Sequence, residues 1–272
     1  MIPIGLNLAS IGVSSAWWLD AARRAEQAGF AGVWCWDHFI SRGRDKARPV
    51  LECWTTLTAA AAGTRSIRVG SFVTNVNNRH PAVLARMLAT LADQAPGRVE
   101  LGLGVGGYEA EMAAYGVDFP GPADRVERLE EAVRVMRLLW AGGPADFQGR
   151  HYRLSEAWAH PVPVPAPRII VGGEKSAGAR LAARVGDGWT TNAADYDRLL
   201  PLHLEELERH GRRREDVAHL LAVELQRGAA INLTDLAAEW QAHGADELIV
   251  SWVRPDDLPA LLQAANEAAL GR

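Results

Sequence analysis

The chain has 272 residues, of which 48% are hydrophobic, so it can bury one large core. Its 29 lysine and arginine residues and 33 aspartate and glutamate residues give a net charge of −4, which offers no electrostatic case for binding nucleic acid or an anionic membrane. No segment reaches the roughly 18 apolar residues of a membrane span, and the N-terminus does not read as a secretion signal. We expect one domain over residues 1–272, no membrane contact and a small-molecule partner.

The sequence contains only two cysteines, Cys35 and Cys53, which lack the spacing of a zinc or redox motif and cannot build a disulfide framework. This usage is typical of a cytoplasmic protein. None of the 8 histidines belongs to an HExxH motif, and no GxSxG motif occurs. We therefore expect neither a metal site nor a serine nucleophile.

Short apolar runs rich in β-branched residues alternate with longer segments of helical period, which is typical of βαβ units around a parallel sheet. The even spacing and the total length favour a single (β/α)8 TIM barrel over the alternative, a doubly wound open sheet. A stretch rich in proline and glycine, 142–167, is interpreted as an insertion near the C-terminal face of the strands that covers part of the barrel mouth. The eight predicted strands are 2–8, 32–38, 67–74, 99–106, 168–173, 186–191, 219–225 and 247–253.

Two of the helices between these strands have a clear apolar face. Pro81, a residue preferred at the first helical position, begins one of them. Gly29 and Gly97 follow helices at positions where a left-handed turn is expected. We expect the Pro81 helix to bury Leu84, Met87, Leu88 and Leu91, and a later helix to bury the stripe of Val126, Leu129, Val133, Met136 and Trp140.

The loops after the strands build the active site of a (β/α)8 barrel, so residues at the strand ends are the candidates. The second strand ends in Asp37 and His38, and a histidine there can exchange a proton near neutral pH. The alternative is a hydrogen-bonded structural histidine. We predict His38 as the catalytic residue, with Asp37 beside it as an orienting partner.

The third and fourth strands carry features that suit a flat ring. Gly70 and Ser71 interrupt an apolar strand, which indicates a bulge or a close approach of backbone to a ligand. Asn75 offers both a donor and an acceptor to the edge of a heteroaromatic ring. On the fourth strand, the missing side chains would let a ring lie against the backbone, although the pattern lacks the context of a dinucleotide fingerprint; these glycines are Gly102, Gly104, Gly106 and Gly107.

The fifth strand ends in Gly172 and Gly173, directly before Glu174, Lys175 and Ser176 and the start of a helix. A helix N-terminus with free amides binds phosphate readily, and a lysine and a serine would add direct contacts. The alternative is an ordinary helix cap made by the serine. We favour phosphate binding at this loop.

Taken in order, these strand ends resemble the bacterial-luciferase-like superfamily, and specifically its coenzyme F420-dependent oxidoreductase branch. The segments that carry the resemblance are GFAGVWCWDHF (29–39), TLTAAAAGTRSIRVGSFVTNVNNRHPAVLARMLATL (56–91), PGRVELGLGVGGYEAEMAAYGVDFP (96–120), RVERLEEAVRVMRLLW (125–140) and IIVGGEKSAGARLAARVGDGW (169–189). The family fold is a TIM barrel. The resemblance implies that His38 is the pocket histidine and that Ser71 and Phe72 form a bulge, joined by a cis peptide bond, which supports the ring. It further implies a ring wall at Gly104 and Gly106, a retained acid at Glu111 that belongs to the cofactor site, and a phosphate loop at Gly172, Gly173, Glu174 and Ser176.

Members of this family use coenzyme F420 as a hydride carrier, or reduced FMN with oxygen. The segments RHPAVLAR (79–86) and VGGYEAEMAAYG (105–116) look more like those of the F420-dependent members. The resemblance thus implies an oxidoreductase that transfers a hydride between F420 and a small organic substrate. The alternatives are an FMN-dependent monooxygenase and a non-catalytic flavin-binding barrel.

The chain departs from the family pattern at Gly107, where a tryptophan often stands, which implies a more open pocket. Sugar-phosphate dehydrogenases that resemble this family place a catalytic glutamate there, so Gly107 argues against that substrate class. The family also implies a homodimer. The candidates for substrate contact lie at other strand ends: Asn7, Trp189, Asn192, Glu224 and Trp252.

Overall fold

The structure is a computed structural model that describes residues 1–226 and 230–271. Within these residues, strands and helices alternate along the chain. The strands are β1 Ile4–Leu8, β2 Gly32–Cys35, β3 Arg68–Ser71, β4 Thr74–Asn75, β5 Val99–Gly104, β6 Ala145–Gln148, β7 Arg153–Ala157, β8 Arg168–Gly172, β9 Gly188–Asn192, β10 Ala218–Val223 and β11 Glu247–Val253. The helices are α1 Ser15–Gln27, α2 Cys53–Gly63, α3 Pro81–Gln94, α4 Glu109–Ala114, α5 Pro122–Trp140, α6 Ser176–Val185, α7 Ala193–Arg209, α8 Leu233–Ala242 and α9 Leu258–Glu267, with a 3-10 turn at Arg214–Asp216.

The parallel strands close into a barrel in the order β3-β2-β1-β11-β10-β9-β8-β5, and pairing of β5 with β3 completes the ring. This confirms the predicted (β/α)8 fold. The predicted strand 67–74 is interrupted at Phe72 and Val73, and β4 continues it against β5. The second strand ends at Cys35, so Asp37 and His38 belong to the loop that follows it.

Trp34 fills the middle of the barrel, where it packs with a small cluster of aliphatic side chains from other strands. The ring needs the space that glycines on neighbouring strands leave free. A Cβ added at Gly70 would lie 2.3 Å from Cζ3 of Trp34, and one at Gly5 would lie 2.7 Å from its Nε1. Gly70 therefore makes room for Trp34. The expectation that it marks a ligand contact is wrong, because the inner face of β3 is already covered there.

Four charged residues cross-link the barrel at the N-terminal ends of its strands. Arg68 donates to Glu100 over 2.8 Å and to Glu247 over 2.7 Å, and Arg168 Nε donates to Glu100 over 2.9 Å. Both carboxylates are buried. Burial, together with the charge of Glu100, raises the pKa of Glu247 to about 7, although Arg68 opposes the shift. This network belongs to the stability of the barrel, because it lies at the end opposite the mouth.

Replacing Glu100 with glutamine should destabilise the barrel by about 3 kcal/mol. Breaking a buried ion pair by removing one partner costs about 3 to 5 kcal/mol, and the partial exposure of Arg168 places this site at the lower end. Urea unfolding measures the difference. The matched control is Glu205→Gln on α7, an exposed partner of Arg209, which should cost under about 0.5 kcal/mol. Equal effects for the two substitutions would contradict the prediction.

The helices form the outer layer and bury the predicted apolar stripes, with one exception. On α5, four residues of the predicted stripe are buried, namely Leu129, Val133, Met136 and Trp140, and Val126 is half-buried. On α3, Met87 is 36% exposed, so its prediction is wrong. The reason is that Ala85 and Ala92 shift the buried face of α3 away from Met87. The left-handed turns at Gly29 and Gly97 are confirmed, with φ values of 85° and 71°.

The predicted insertion forms an antiparallel hairpin of β6 and β7 on the flank of the barrel. Glu131 on α5 accepts backbone hydrogen bonds from Arg150, His151 and Tyr152 at the hairpin tip, over 2.7, 2.9 and 3.1 Å. Tyr152 also packs edge-on against His80, which caps the N-terminus of α3. The tip therefore reaches the rim of the barrel mouth, while the segment itself packs along α3 and α5. Among the described residues, no helix is both long and apolar enough to cross a membrane.

Candidate active site

His38 and Glu111 form a hydrogen-bonded pair at the rim of the barrel mouth. Nδ1 of His38 lies 3.0 Å from Oε2 of Glu111. The other carboxylate oxygen of Glu111 accepts the backbone N–H groups of Phe39, over 2.6 Å, and of Ile40, over 3.1 Å. Burial raises the pKa of Glu111, but these hydrogen bonds outweigh burial and hold it below its usual value. Glu111 is therefore an ionised carboxylate at neutral pH.

The fold brings these two residues together across 73 positions of sequence. His38 follows β2, and Glu111 lies on the short helix α4, which follows β5 and the open turn at Gly107. Because Glu111 accepts at Nδ1 of His38, the proton of a neutral imidazole is held on Nδ1. The lone pair of Nε2 is then free, and the His38 side chain is 21% exposed. This arrangement can accept a proton from a ligand in the mouth.

Asp37 turns away from the mouth and binds Arg79. The contact is bidentate, over 2.7 and 2.9 Å, and Asp37 also accepts from Nδ2 of Asn78 over 3.1 Å. Arg79 in turn binds Glu52, which caps the N-terminus of α2. Asp37 thus connects three rim segments, and its carboxylate binds Arg79 and Asn78, while the ring of His38 binds Glu111 instead. Arg79 was missed by the sequence analysis, although an arginine directly after a strand end is a usable signal.

Replacing Asp37 with asparagine should lower stability by about 3 kcal/mol, because it leaves the buried guanidinium of Arg79 short of a charged partner. Thermal and urea unfolding measure this loss. Asp20→Asn is the matched control, since Asp20 pairs with Arg24 on the exposed face of α1. An Asp37→Asn variant of full stability with turnover abolished would instead indicate a direct catalytic role for Asp37.

The bulge after β3 differs from its prediction by one residue. The cis peptide bond joins Phe72 to Val73, not Ser71 to Phe72. Ser71 is fully buried and donates to the carbonyl of Gly102 over 2.8 Å, so it cannot contact a ligand directly. Phe72 is half-buried and packs toward Trp34. Val73, which the sequence analysis did not single out, is the second half-buried residue of the bulge.

The glycines of β5 accommodate this bulge rather than a ring. A Cβ added at Gly102 would lie 2.1 Å from the carbonyl oxygen of Ser71, and one at Gly104 would lie 2.7 Å from Cγ2 of Val73. The predicted ring wall at Gly104 is therefore wrong, because protein already occupies its face. In the part of the chain that the structure describes, a Cβ added at Gly107 would meet no atom within 4 Å apart from its chain neighbours, so this turn has open space beside it.

Asn75 lies underneath Gly106, and its side chain is already bound by protein. Its Oδ1 accepts from the backbone and the side chain of Asn77, and its Nδ2 contacts Sδ of Met112 over 3.4 Å. Gly106 has a φ of 78°, and a Cβ added there would lie 2.5 Å from Oδ1 of Asn75. Neither residue therefore contacts a ring as predicted. On the loop between β4 and α3, Oδ1 of Asn77 and Oδ1 of Asn78 are buried acceptors that find no hydrogen-bond partner in the described part of the chain.

The loop between β8 and α6 is built on a close contact between two glycines. A Cβ added at Gly173 would lie 2.4 Å from the backbone of Gly178, so strand and helix meet through glycine backbone alone. Lys175 occupies the N-cap position without a side-chain cap, and Ser176 is the first helical residue. Since Ser176 does not cap the helix, the alternative interpretation fails. Gly172 is half-buried, and Glu174, Lys175 and Ser176 are exposed.

The five substrate candidates separate into rim residues and buried ones. Trp252 is at the rim, with a φ of 59°, and its ring stacks on Trp36 at 4.2 Å. Asn7 is buried and links two strands, donating to Trp34 O and accepting from Trp252 N. Trp189 is also buried, stacked on His203, and its Nε1 donates to Gly173 O. Asn7 and Trp189 therefore cannot contact a substrate. The half-buried Asn192 and the exposed Glu224 lie at strand ends.

The chain matches known proteins over most of its length. It is 38% identical to the F420-dependent hydroxymycolic acid dehydrogenase of Mycobacterium tuberculosis over 177 residues, which cover 65% of this chain and 49% of that protein. It is 34% identical to the F420-dependent glucose-6-phosphate dehydrogenase of Microbacterium testaceum over 214 residues, covering 76% of this chain and 63% of that protein. The chain thus spans between about half and two thirds of the length of these relatives.

Solved structures and a family model add two further comparisons. An F420-dependent secondary alcohol dehydrogenase, solved in complex with an F420-acetone adduct, superposes with a TM-score of 0.83 over 97% of this chain and 98% of that one, at 22% identity. This likeness concerns the fold. The family model described as luciferase-like monooxygenase matches residues 13–249. Because that match covers most of the sequence, the chain belongs to the luciferase-like monooxygenase family.

Proposed function

We propose that this chain is an F420-dependent oxidoreductase that transfers a hydride between the deazaflavin and an alcohol or carbonyl carbon of a small organic substrate. The observation that carries the proposal is the His38–Glu111 pair at the barrel rim, with a free Nε2 to exchange the substrate's proton. The names of the relatives support the same cofactor and reaction type. The proposal extends these properties to a chain shorter than those relatives.

The residues of the β8–α6 loop fit the phosphate of such a cofactor. The close approach of Gly173 to Gly178 leaves no space for a Cβ, and the amides of the first turn of α6 have no side-chain cap. Such amides donate to phosphate oxygens, and the positive end of the helix dipole favours the anion. Thr190 pairs with Gly172 across the sheet, and its buried hydroxyl oxygen has no hydrogen-bond partner among the residues that the structure describes. Lys175 and Ser176 are exposed at the start of α6, so their side chains can add contacts to the phosphate.

At the other end of the site, Phe72 and Val73 would support the ring. The bulge rests on the glycines of β5 and on Gly172, so its backbone has little room to shift. We assign the supporting role to Val73 together with Phe72, in place of Ser71. The buried oxygens of Asn77 and Asn78 are the unpaired acceptors nearest in sequence to this bulge, so we assign the polar edge of the ring to their loop.

In the proposed reaction, F420 supplies a carbon centre that accepts a hydride when bound. The substrate carbon that bears the hydroxyl gives up the hydride. At the same time, Nε2 of His38 accepts the hydroxyl proton, and a carbonyl product forms. The ionised Glu111 stabilises the resulting imidazolium through Nδ1. The stacked rings of Trp36 and Trp252 line the rim beside His38 and can exclude water. In the reverse direction His38 returns the proton.

Titration of the purified chain with F420 and with FMN, followed by fluorescence, tests the cofactor. We expect F420 to bind at least about tenfold more tightly, which corresponds to about 1.4 kcal/mol. Anaerobic assays with alcohols and ketones should then change the oxidation state of the bound F420. Tighter FMN binding with oxygen-dependent turnover would favour the monooxygenase alternative, and binding without any turnover would favour the non-catalytic one.

A further inference from the structure

The loop that follows His38 has an unusual concentration of positive charge. Residues 42–48 read RGRDKAR, so four cations and one carboxylate stand within seven positions of a chain whose net charge is −4. All seven residues are exposed. Among the residues that the structure describes, none of the four cations forms an ion pair with a carboxylate. The cations are Arg42, Arg44, Lys46 and Arg48.

Both ends of this loop are fixed to the barrel. At its start, Glu111 accepts the backbone amides of Phe39 and Ile40. At its end, Ile11 and Val50 form an antiparallel bridge, so the loop is tied to the segment that follows β1. The loop therefore holds its cations at a defined position beside the mouth, unlike a charged tail in solvent.

Two of the cations contact the catalytic neighbourhood through Tyr108. Cζ of Arg42 lies 5.7 Å and Nζ of Lys46 lies 5.2 Å from the centre of the Tyr108 ring, and Nζ also donates to the Tyr108 hydroxyl over 2.5 Å. The same ring meets His38 edge-on, with 6.4 Å between ring centres. The Tyr108 ring therefore links Arg42 and Lys46 to the His38 ring at the rim of the barrel.

The cofactor phosphate has a different candidate site. The β8–α6 loop and the loop after β2 are separated by β3 and β5 in the barrel order, so they occupy different sectors of the rim. A guanidinium and an ammonium without carboxylate partners are suited to carboxylate or phosphate oxygens. Taken together, these contacts indicate an anion site on the substrate side of His38.

We propose that Arg42 and Lys46 recognise an anionic group of the substrate, so that the chain acts on alcohols or carbonyl compounds that carry a carboxylate or a phosphate. This inference rests on the proposed function and specifies its substrate class. Tyr108 contacts both cations and meets His38 edge-on, so the proposed site suits molecules that carry both a charged group and a reacting carbon.

Matched substrate pairs test the proposal in F420-linked assays. The pairs are 2-propanol with 3-hydroxybutyrate, and glycerol with glycerol 3-phosphate. We expect kcat/KM to favour the anionic member, and Arg42→Gln with Lys46→Gln to reduce that preference by about ten- to a hundredfold, since a hydrogen bond to a charged group contributes about 1.5 to 3 kcal/mol. The two pairs separate carboxylate from phosphate recognition. Arg134→Gln on the exposed face of α5 is the control.

A binding measurement keeps the inference separate from the proposed function. Calorimetric titration with 3-hydroxybutyrate should show binding that weakens with added salt and is lost in Arg42→Glu, whose folding is checked by circular dichroism. If the unmodified chain does not bind F420, the proposed function is refuted, while the inference about the anion site is not. An unchanged anion preference and unchanged anion binding in the variants would refute the inference, as would a variant whose F420 affinity falls while its substrate preference stays the same.

Discussion

Replacement of His38 with alanine is expected to lower kcat by about 10²- to 10⁴-fold, the range for loss of a positioned general acid or base. The physical reason is that residues 1–226 and 230–271 offer Nε2 of His38 no hydrogen-bond partner, while Nδ1 is held by Glu111. Without the imidazole, the substrate proton must pass to water in a site lined by aromatic rings. Single-turnover reduction of F420 by an accepted alcohol measures the chemical step directly.

F420 affinity should be almost unchanged in the His38→Ala variant, because the phosphate loop lies in another sector of the rim. The control is His243→Ala, which removes an exposed histidine paired with Asp197 at the end of α8. This control should keep full activity. If His38→Ala turns over at the rate of the unmodified chain, His38 does not carry the proton, and the role assigned to the pair is wrong.

Replacement of Glu111 with glutamine is expected to lower kcat almost as strongly, by about 10²- to 10⁴-fold. The backbone amides of Phe39 and Ile40 require an acceptor and will keep the amide oxygen of the new side chain. Its NH2 group then faces Nδ1 of His38 and donates to it, which moves the imidazole proton to Nε2. In the serine protease triad, holding the histidine in the wrong tautomer lowers kcat by about 10⁴-fold.

The tautomer of His38 distinguishes a role of Glu111 in positioning the imidazole proton from a role in anchoring the loop, because anchoring alone would not change the tautomer. Nitrogen NMR of His38 should report protonated Nδ1 in the unmodified chain and protonated Nε2 in Glu111→Gln. Glu109→Gln, an exposed position on the same helix, is the control and should change neither the spectrum nor kcat. A Glu111→Gln variant that keeps both its tautomer and its activity would show that Glu111 only anchors the loop.

Stability should also depend on pH through Glu111. Its pKa is lower in the folded chain than the usual 4.5, so the stabilisation is present above pH 4.5 and is lost as the pH falls through the folded value. Glu111→Gln lacks this contribution at every pH. The difference in unfolding free energy between the two proteins should therefore shrink on acidification below pH 4.5. Urea titrations at several pH values measure it, and a constant difference would contradict the prediction.

Much of the fold could be predicted because period and length are local properties of the sequence. The eight parallel strands lie close to their predicted positions, and β11 coincides with the predicted 247–253. The errors have local causes as well. The predicted strand 32–38 is too long at its C-terminal end. Apolar and aromatic residues continue into the loop, but β2 pairs with β3 only as far as Cys35. Met87 was placed inside because alanines do not stand out in a pattern of large apolar residues.

The candidate site was predicted less completely, because the residue pattern of one strand does not show which groups of neighbouring strands and loops pack against it. The β5 glycines were read as space for a ring, yet Val73 and the backbone of Ser71 occupy that space. The amide of Asn75 was read as available, yet Asn77 and Met112 already bind it. Gly104 and Asn75 do lie at the ends of their strands, as predicted. The atoms that keep the β5 glycines and Asn75 from contacting a ligand belong to a neighbouring strand or loop.

By itself, the sequence determined the barrel, the end of the barrel that carries the chemistry, and the placement of His38 and the β8–α6 glycines at that end. These conclusions follow from local properties of the sequence: the period of apolar residues, the lack of a side chain in glycine, and the ability of a histidine side chain to exchange a proton. The tertiary structure alone decided that Glu111 binds His38, that Asp37 binds Arg79 instead of a ligand, and that Arg42 and Lys46 meet at Tyr108. The reason is physical: hydrogen bonds and ion pairs depend on atoms a few ångströms apart, and only chain closure brings loops from different strands that close.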